Sequence, residues 1–311
     1  MGWVKKGNFF KNKNNDYWNK THAQSPVIDI VDDNIWRIYY NTRDLNKRTR
    51  ISYIEVEAGN PENILYIHNK PILELGDIGD FDDCGVMCSD IVNFNGKKYL
   101  YYLGWNVRNT IPYHLSIGLA VSDDGKYFKK LFKGPILDRT NIEPYLCTSC
   151  CVVIENDCWK MWYTSGTGYK IINNYVEPLY NIKYATSKDG VKWNRENVVS
   201  VDYNNNHEAL GVPSVLFEDG KYKMWYSYRD IFDYRINAKH SYRIGYAESN
   251  DGIYFNRMDN KAGIDISKLD NEWDSEMIAY GKVIKNKNEK YMFYNGNGFG
   301  QTGIGYAIWE G

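Results

Sequence analysis

The stretch Val215-Leu-Phe-Glu-Asp-Gly-Lys-Tyr-Lys-Met-Trp-Tyr226 decides how this chain folds. It holds two short apolar and aromatic runs around Asp219-Gly220, a dipeptide that favours the positive backbone angles of a tight hairpin. Its second run recurs. Trp36-Arg-Ile-Tyr-Tyr40, Lys98-Tyr-Leu-Tyr-Tyr102, Trp159-Lys-Met-Trp-Tyr163, Tyr222-Lys-Met-Trp-Tyr226 and Tyr291-Met-Phe-Tyr294 end on the same tyrosine, at intervals of 62, 61, 63 and 68 residues. A first strand precedes each: Val27 to Val31, Ile91 to Phe94, Val152 to Ile154, Val215 to Phe217 and Lys282 to Ile284. A third follows, in Ile117-Gly-Leu-Ala-Val121, Ile182-Lys-Tyr-Ala-Thr186, Ile244-Gly-Tyr-Ala-Glu248 and Ile304-Gly-Tyr-Ala-Ile308, with Arg50 to Ile54 as the divergent first copy. Three copies run into Ser-x-Asp-Gly turns at 122–125, 187–190 and 249–252, followed by an aromatic outer strand ending near Phe128, Trp193 or Phe255.

Four antiparallel strands per repeat, five repeats and no helical periodicity predict an all-β, five-bladed β-propeller, a single domain over residues 1–311. The fifth repeat lacks an outer strand before the sequence ends, and Gly2-Trp3-Val4-Lys5 reads like one. The N-terminus is therefore expected to close the ring and cover that edge.

Composition narrows the function. The 38 Lys plus Arg nearly cancel 39 Asp plus Glu, so the footprint of a nucleic-acid-polymer binder is absent. No apolar run approaches the ~18 residues of a membrane span. The first 20 residues hold no secretory apolar core, and a cytoplasmic location is expected. Cys84, Cys88, Cys147, Cys150, Cys151 and Cys158 crowd into two stretches, which suits small residues of packed inner strands better than a disulfide framework or a zinc site; no metal and no cofactor are expected. The 28 Tyr, 10 Trp and 11 Phe supply ring surface for strands and for sugar-binding clefts.

Tight turns mark one rim of the predicted ring, while long connections at 106–114, 166–180 and 230–241 mark the other, where binding residues concentrate. That rim carries His22, Gln24, Arg43, Asp44, Trp105, Glu143, Tyr145, Arg229, Asn295 and Asn297, and the basic connection of the fourth repeat adds Arg235, Lys239, His240 and Arg243. Arg43-Asp44 and Arg229-Asp230 occupy equivalent places, so a repeated structural ion pair competes with a binding role. Asp83, Glu208 and Glu276 stand 18 or 19 residues ahead of the tyrosines at 102, 226 and 294. They are the expected catalytic acids, since carboxylates facing across a cleft perform glycosyl transfer.

The Met-Trp-Tyr and Ile-Gly-Tyr-Ala strands and the Ser-x-Asp-Gly turn resemble the five-bladed glycoside hydrolase superfamily of families 43, 32, 68 and 130 over nearly the whole chain. The resemblance implies a carbohydrate-active protein. In the family 43 pattern the base Asp falls at Ser25-Pro26, the acid Glu near Thr148 or Ser149, and the Asp that tunes the acid at Asp90. Two of three carboxylates are thus replaced. Family 130 includes phosphorolytic enzymes with basic residues at this rim, and the cations here suit a sugar phosphate. A hydrolase, a phosphorylase, a glycosyltransferase and a catalytically silent glycan-binding propeller follow as alternatives, with oligomeric state left open.

Overall fold

The computed structural model describes residues 2–13 and 16–311. The chain is nearly all β. β1 (Gly2–Phe10) comes first, and the five repeats follow it. Repeat 1 holds β2 (Thr21–Ile30), β3 (Ile35–Arg43), β4 (Thr49–Glu57) and β5 (Asn60–Ile67); repeat 2 holds β6 (Gly85–Phe94), β7 (Lys97–Val107), β8 (Tyr113–Ser122) and β9 (Lys129–Lys130). Repeat 3 consists of β10 (Cys147–Glu155), β11 (Cys158–Ile172), β12 (Tyr175–Ser187) and β13 (Trp193–Val201), and repeat 4 of β14 (Glu208–Glu218), β15 (Lys221–Asp230), β16 (Arg243–Ser249) and β17 (Asn256–Arg257). Repeat 5 has β18 (Ala279–Asn286), β19 (Glu289–Asn295) and β20 (Ile304–Glu310). Pairing within each repeat is antiparallel, and a single parallel bridge, Thr49 to Gly85, links repeats 1 and 2.

β1 pairs antiparallel with β20 from Gly2 opposite Glu310 to Phe10 opposite Ile304, the outer place predicted for it. Four hydrophobic clusters fill the spaces between consecutive repeats, and a further one joins Trp36, Ile38 and Tyr40 of repeat 1 to Tyr291, Phe293 and Ile304 of repeat 5.

Two recurring motifs hold neighbours together. The Ser-x-Asp-Gly glycines adopt positive φ, as at Gly125 (74°), which a glycine reaches without a side-chain penalty. Their amides donate to Ser122, Ser187 and Ser249 Oγ, while their carbonyls accept from Tyr39, Tyr101 and Trp162 of the preceding repeat at 2.7–2.8 Å. The second motif sets an acid against the repeated tyrosine, buried in three of four cases. Tyr102 donates to Asp82, Tyr163 to Glu143, Tyr226 to Asp259 and Tyr294 to Asp274. A cation from the outermost strand completes each set: Lys130, Arg195, Arg257 and, from β1, Lys5 at 2.7 Å from Asp274.

Two details differ from the sequence reading. The aromatic after each Ser-x-Asp-Gly precedes or opens the outer strand, because Phe128 and Phe255 turn inward to pack. The first strands start several residues earlier than their apolar runs, through an irregular stretch that builds the site.

Candidate functional site

Every first strand is bulged near its start. Register shifts fall between Gln24 and Val27, Cys88 and Asp90, Thr148 and Cys150, Gly211 and Ser214, and Ala279 and Lys282. A bulge frees one or two residues from the ladder and turns them aside. Ser25 (φ 51°), Val212 (56°) and Tyr280 (58°) take left-handed angles there, a strain that a β-branched valine tolerates only where its surroundings fix it. Side chains of a neighbouring repeat supply the fixing. Asn295 accepts from the Ser25 amide, Asn41 from Cys88, Thr164 from Val212 and Ser227 from Tyr280; Ser89 does the same for Cys150.

The freed residues surround one cavity of about 400 Å³. Its wall is formed by Ser25-Pro26, Ser89, Thr148-Ser149, Val212-Pro213 and Tyr280-Gly281, and its upper part by Trp105, Tyr113, Tyr180, Tyr234, Tyr242 and Phe299. Trp105 is held by Nε1 donating to Thr49 Oγ1 at 2.7 Å, and a Cβ on Gly85 would stand 2.1 Å from that nitrogen. Burial raises the phenol pKa of Tyr113, Tyr180, Tyr234, Tyr242 and Tyr280, so these hydroxyls remain protonated.

The charges are of one sign. Arg43, Lys47, Arg229, Arg235 and Lys282 line the cavity, and among the described residues no Asp or Glu does. Lys282 is held by Asp90 at 2.5 Å, which raises its pKa against the opposing effect of burial, and the other Asp90 oxygen accepts from the Val152 amide. Arg229 lies over the Tyr234 ring at 3.8 Å and gives its N–H groups to Tyr180, Tyr242 and the carbonyls of Pro178 and Asp230. Glu177 accepts from Arg235 and stands 3.7 Å from Arg229. Gln24 is buried, with Oε1 unpartnered among the described residues.

Gln24, Arg43, Trp105 and Arg229 are thus brought together as the sequence suggests, while the acids lie elsewhere. Asp83 accepts from the Gly79 amide in the loop before β6, Glu208 pairs with Arg257 at 2.7 Å, and Glu276 is exposed beside the carbonyl that receives Arg243. The residues that reach the cavity from the first strands or just before them come 12 to 17 positions before the repeated tyrosines. At 18 or 19 positions the chain has not yet entered the bulge. Glu143 belongs to the buried set under Tyr163, and Tyr145 packs on Tyr169 outside the cavity. Asp44 pairs with Arg48 and Arg50 rather than Arg43, so the repeated Arg-Asp pairs are not side-chain ion pairs. Arg243 gives its N–H groups to the carbonyls of Ala238 and Tyr242. Asn295 caps the Ser25 bulge and Asn297 the turn before Met277. His22 borders this region outside the lining; burial and then the Arg43 charge lower its pKa to about 4, so it is neutral at pH 7.

No family model matches the chain. It is 34% identical over 311 residues to "Uncharacterized protein Rv1502" of Mycobacterium tuberculosis (strain H37Rv), and equally to "Uncharacterized protein MT1551" of strain CDC 1551, with 100% of each chain covered. The chain belongs to this family. Among solved structures it is similar to a "Glycoside hydrolase" (TM-score 0.74, 17% identity, 100% of this chain and 93% of the other), and to a thermostable family 43 glycoside hydrolase (0.65, 17%, 94% and 91%). A third belongs to the family described as mannoside phosphorylases that contains glycoside hydrolases targeting β-1,2 mannosidic linkages (0.67, 16%, 100% and 90%). The fold is that of the propeller glycoside hydrolases.

Ser25-Pro26, Thr148 and Ser149 line the cavity, and Asp90 lies behind them. Ser25, Thr148 and Ser149 thus bring hydroxyls to the cavity, and Asp90 holds Lys282. Sequence reading missed Lys282 and the tyrosines of the upper wall, since their convergence depends on loop paths that no local pattern records. Among the described residues no group of three or more His, Cys, Asp or Glu is arranged to hold a metal, all six cysteines are free, and no helix is long and apolar enough to cross a membrane.

Proposed function

We propose that the chain is a carbohydrate-active enzyme built as a five-bladed propeller closed by β1, and that its cavity takes a sugar joined to phosphate and acts on that bond. Five bulged first strands around one cavity and the β1–β20 ladder support the closed ring. The observation that carries the chemistry is a cavity lined by five cations and, among the described residues, no carboxylate. When a bond between two sugars breaks, the departing alkoxide needs a proton, usually from a carboxylic acid. Phosphate leaves as a stable anion and needs its charge neutralised, which guanidinium and ammonium groups do. The electron pair of the C1–O bond goes to the phosphate, and an acceptor hydroxyl supplies the new pair to C1 and passes its proton to the departing phosphate, which leaves as hydrogen phosphate. Tyrosine and tryptophan faces suit the C–H face of the sugar.

The same missing carboxylate favours a second reading, a propeller that holds such a sugar without turning it over. Incubation with a panel of glycosyl phosphates and of neutral aryl glycosides, reading released phosphate and released phenol, separates the two. Phosphate release is expected. Calorimetric binding of glycosyl phosphates without release means the silent reading holds, and turnover of aryl glycosides alone overturns both.

A further inference from the structure

Arg43 and Arg229 follow their repeated tyrosines by three residues each, so duplication has put two guanidinium groups at equivalent places on one cavity. Their surroundings differ. Arg229 is enclosed by three tyrosines and Glu177, and all three of its nitrogens are engaged. Arg43 has no hydrogen bond or ion pair to its side chain among the described residues, although it lines the cavity and is only partly exposed. Its carboxylate neighbour in sequence, Asp44, is taken by Arg48 and Arg50. A guanidinium withdrawn from water without a counter-charge is costly unless something supplies the charge.

The local count sets how much charge is missing. Glu177 pairs with Arg229 and Arg235, and among the described residues no carboxylate pairs with Arg43, so these three guanidinium groups carry two uncompensated charges; Lys282 is balanced by Asp90, and Lys47 is exposed to solvent. Burial lowers the Arg43 pKa; Tyr280 opposes this and the Arg235 charge adds to it.

Resting on the reading of the cavity as a glycosyl phosphate site, we infer that Arg43 is the receptor for the phosphate, with Arg235 as its second arm, and that the two uncompensated charges select a dianionic phosphate monoester over a singly charged carboxylate. Arg229 is a positioning residue: its donors are spent on the tyrosines and carbonyls that shape the wall, and Glu177 fixes it together with Arg235. A sugar acid of the same size satisfies one charge and leaves the other.

Bare anions test this without knowledge of the sugar. Calorimetric titration with methyl phosphate, sulfate and acetate at pH 7.5 is expected to show the two dianions binding about tenfold or more tighter than acetate. A phosphate monoester takes up its second proton near pH 6, whereas sulfate does not. Lowering the pH to 5 therefore weakens methyl phosphate and leaves sulfate unchanged, a signature that a structural role for Arg43 does not produce. Arg43→Gln, close in volume, brings both dianions down to acetate, and Arg43→Lys restores part of the difference. Arg243→Ala, outside the cavity, leaves all three as they are. Acetate binding as tightly as sulfate, or dianion binding that survives Arg43→Gln, overturns the inference. Dianions that bind through Arg43 in a protein that neither binds nor turns over any glycosyl phosphate sink the sugar-phosphate reading instead.

Discussion

The proposed closure of the ring by β1 sets two aromatic side chains against different neighbours, and removing them measures what the closure contributes. Trp3 is 7% exposed and meets Trp225 of repeat 4 and Trp309 of β20 edge-on, with ring centroids 5.8 and 5.2 Å apart. Phe10 is 6% exposed and packs on Tyr40 of repeat 1 at 4.9 Å. Truncating a buried Trp or Phe to Ala costs about 3–5 kcal/mol, through lost transfer energy and the cavity left behind. The two belong to separate clusters, so their costs should add, to about 6–10 kcal/mol. A typical domain has a total stability of about 5–15 kcal/mol. Each single variant, Trp3→Ala or Phe10→Ala, should therefore unfold at clearly lower urea with an unchanged slope, and the double variant should be largely unfolded in buffer. Circular dichroism follows the transition independently of the lost tryptophan. A double variant that loses less than about 3 kcal/mol would refute the reasoning, since β1 would then be an appendage and not a strand of the ring.

Two further outcomes bear on the charges. Asp90→Asn or Lys282→Met alone should cost about 3–5 kcal/mol in urea unfolding by stranding a buried charge, and the double variant should recover most of that loss; two singles no worse than the double would mean that the pair is not coupled. Asp83→Asn and Glu276→Gln should leave glycosyl phosphate binding within about twofold, whereas Glu208→Gln should lower stability by about 1.5–3 kcal/mol through its Arg257 bond without changing binding; a loss of binding in any of the three puts these acids back among the ligand's contacts.

The repeated tyrosine, the hairpin glycines and the Ser-x-Asp-Gly turn are local patterns, and strand order and the pairing of β1 with β20 followed from them. The bulges were not legible. A bulge is one or two extra residues in a ladder, and nothing in Gly211-Val-Pro or Ala279-Tyr-Gly marks the residue that turns to a positive φ. Counting back from the tyrosine with an even strand rise therefore directs Asp83, Glu208 and Glu276 at the cavity, when the residues arriving there lie several positions later. The acids 20 positions back, Asp82, Glu143 and Asp274, are buried for the opposite reason, as acceptors for the tyrosine hydroxyls. The cations were visible as residues but not as a set. Lys282 reaches Asp90 across 192 residues, and the enclosure of Arg229 needs Tyr180 of β12 together with Tyr234 and Tyr242 of the connection between β15 and β16.

Duplication offers a way to separate scaffold from ligand contacts in such a ring. One residue past the repeated tyrosine stand Asn41, Leu103, Thr164, Ser227 and Asn295, and the four polar ones each cap a bulge in the next repeat. Where leucine breaks the series, Ser89 of the same repeat supplies the missing acceptor to Cys150. That position repeats its job even when the side chain changes, which is the mark of a structural demand common to all five repeats. Two residues further on stand Arg43, Trp105, Gly166, Arg229 and Asn297. Here nothing is compensated: one arginine is sealed in tyrosines, one has no side-chain partner among the described residues, a tryptophan is held by Thr49, a glycine outside the cavity lining is crowded by Tyr145 and Leu146, and an asparagine caps a turn elsewhere. An asymmetric ligand at the centre of a pseudo-symmetric ring requires such divergence, because each repeat meets a different part of it. Arg43, the member of that divergent position whose side chain has no partner among the described residues, is accordingly where the charge of the ligand is to be sought.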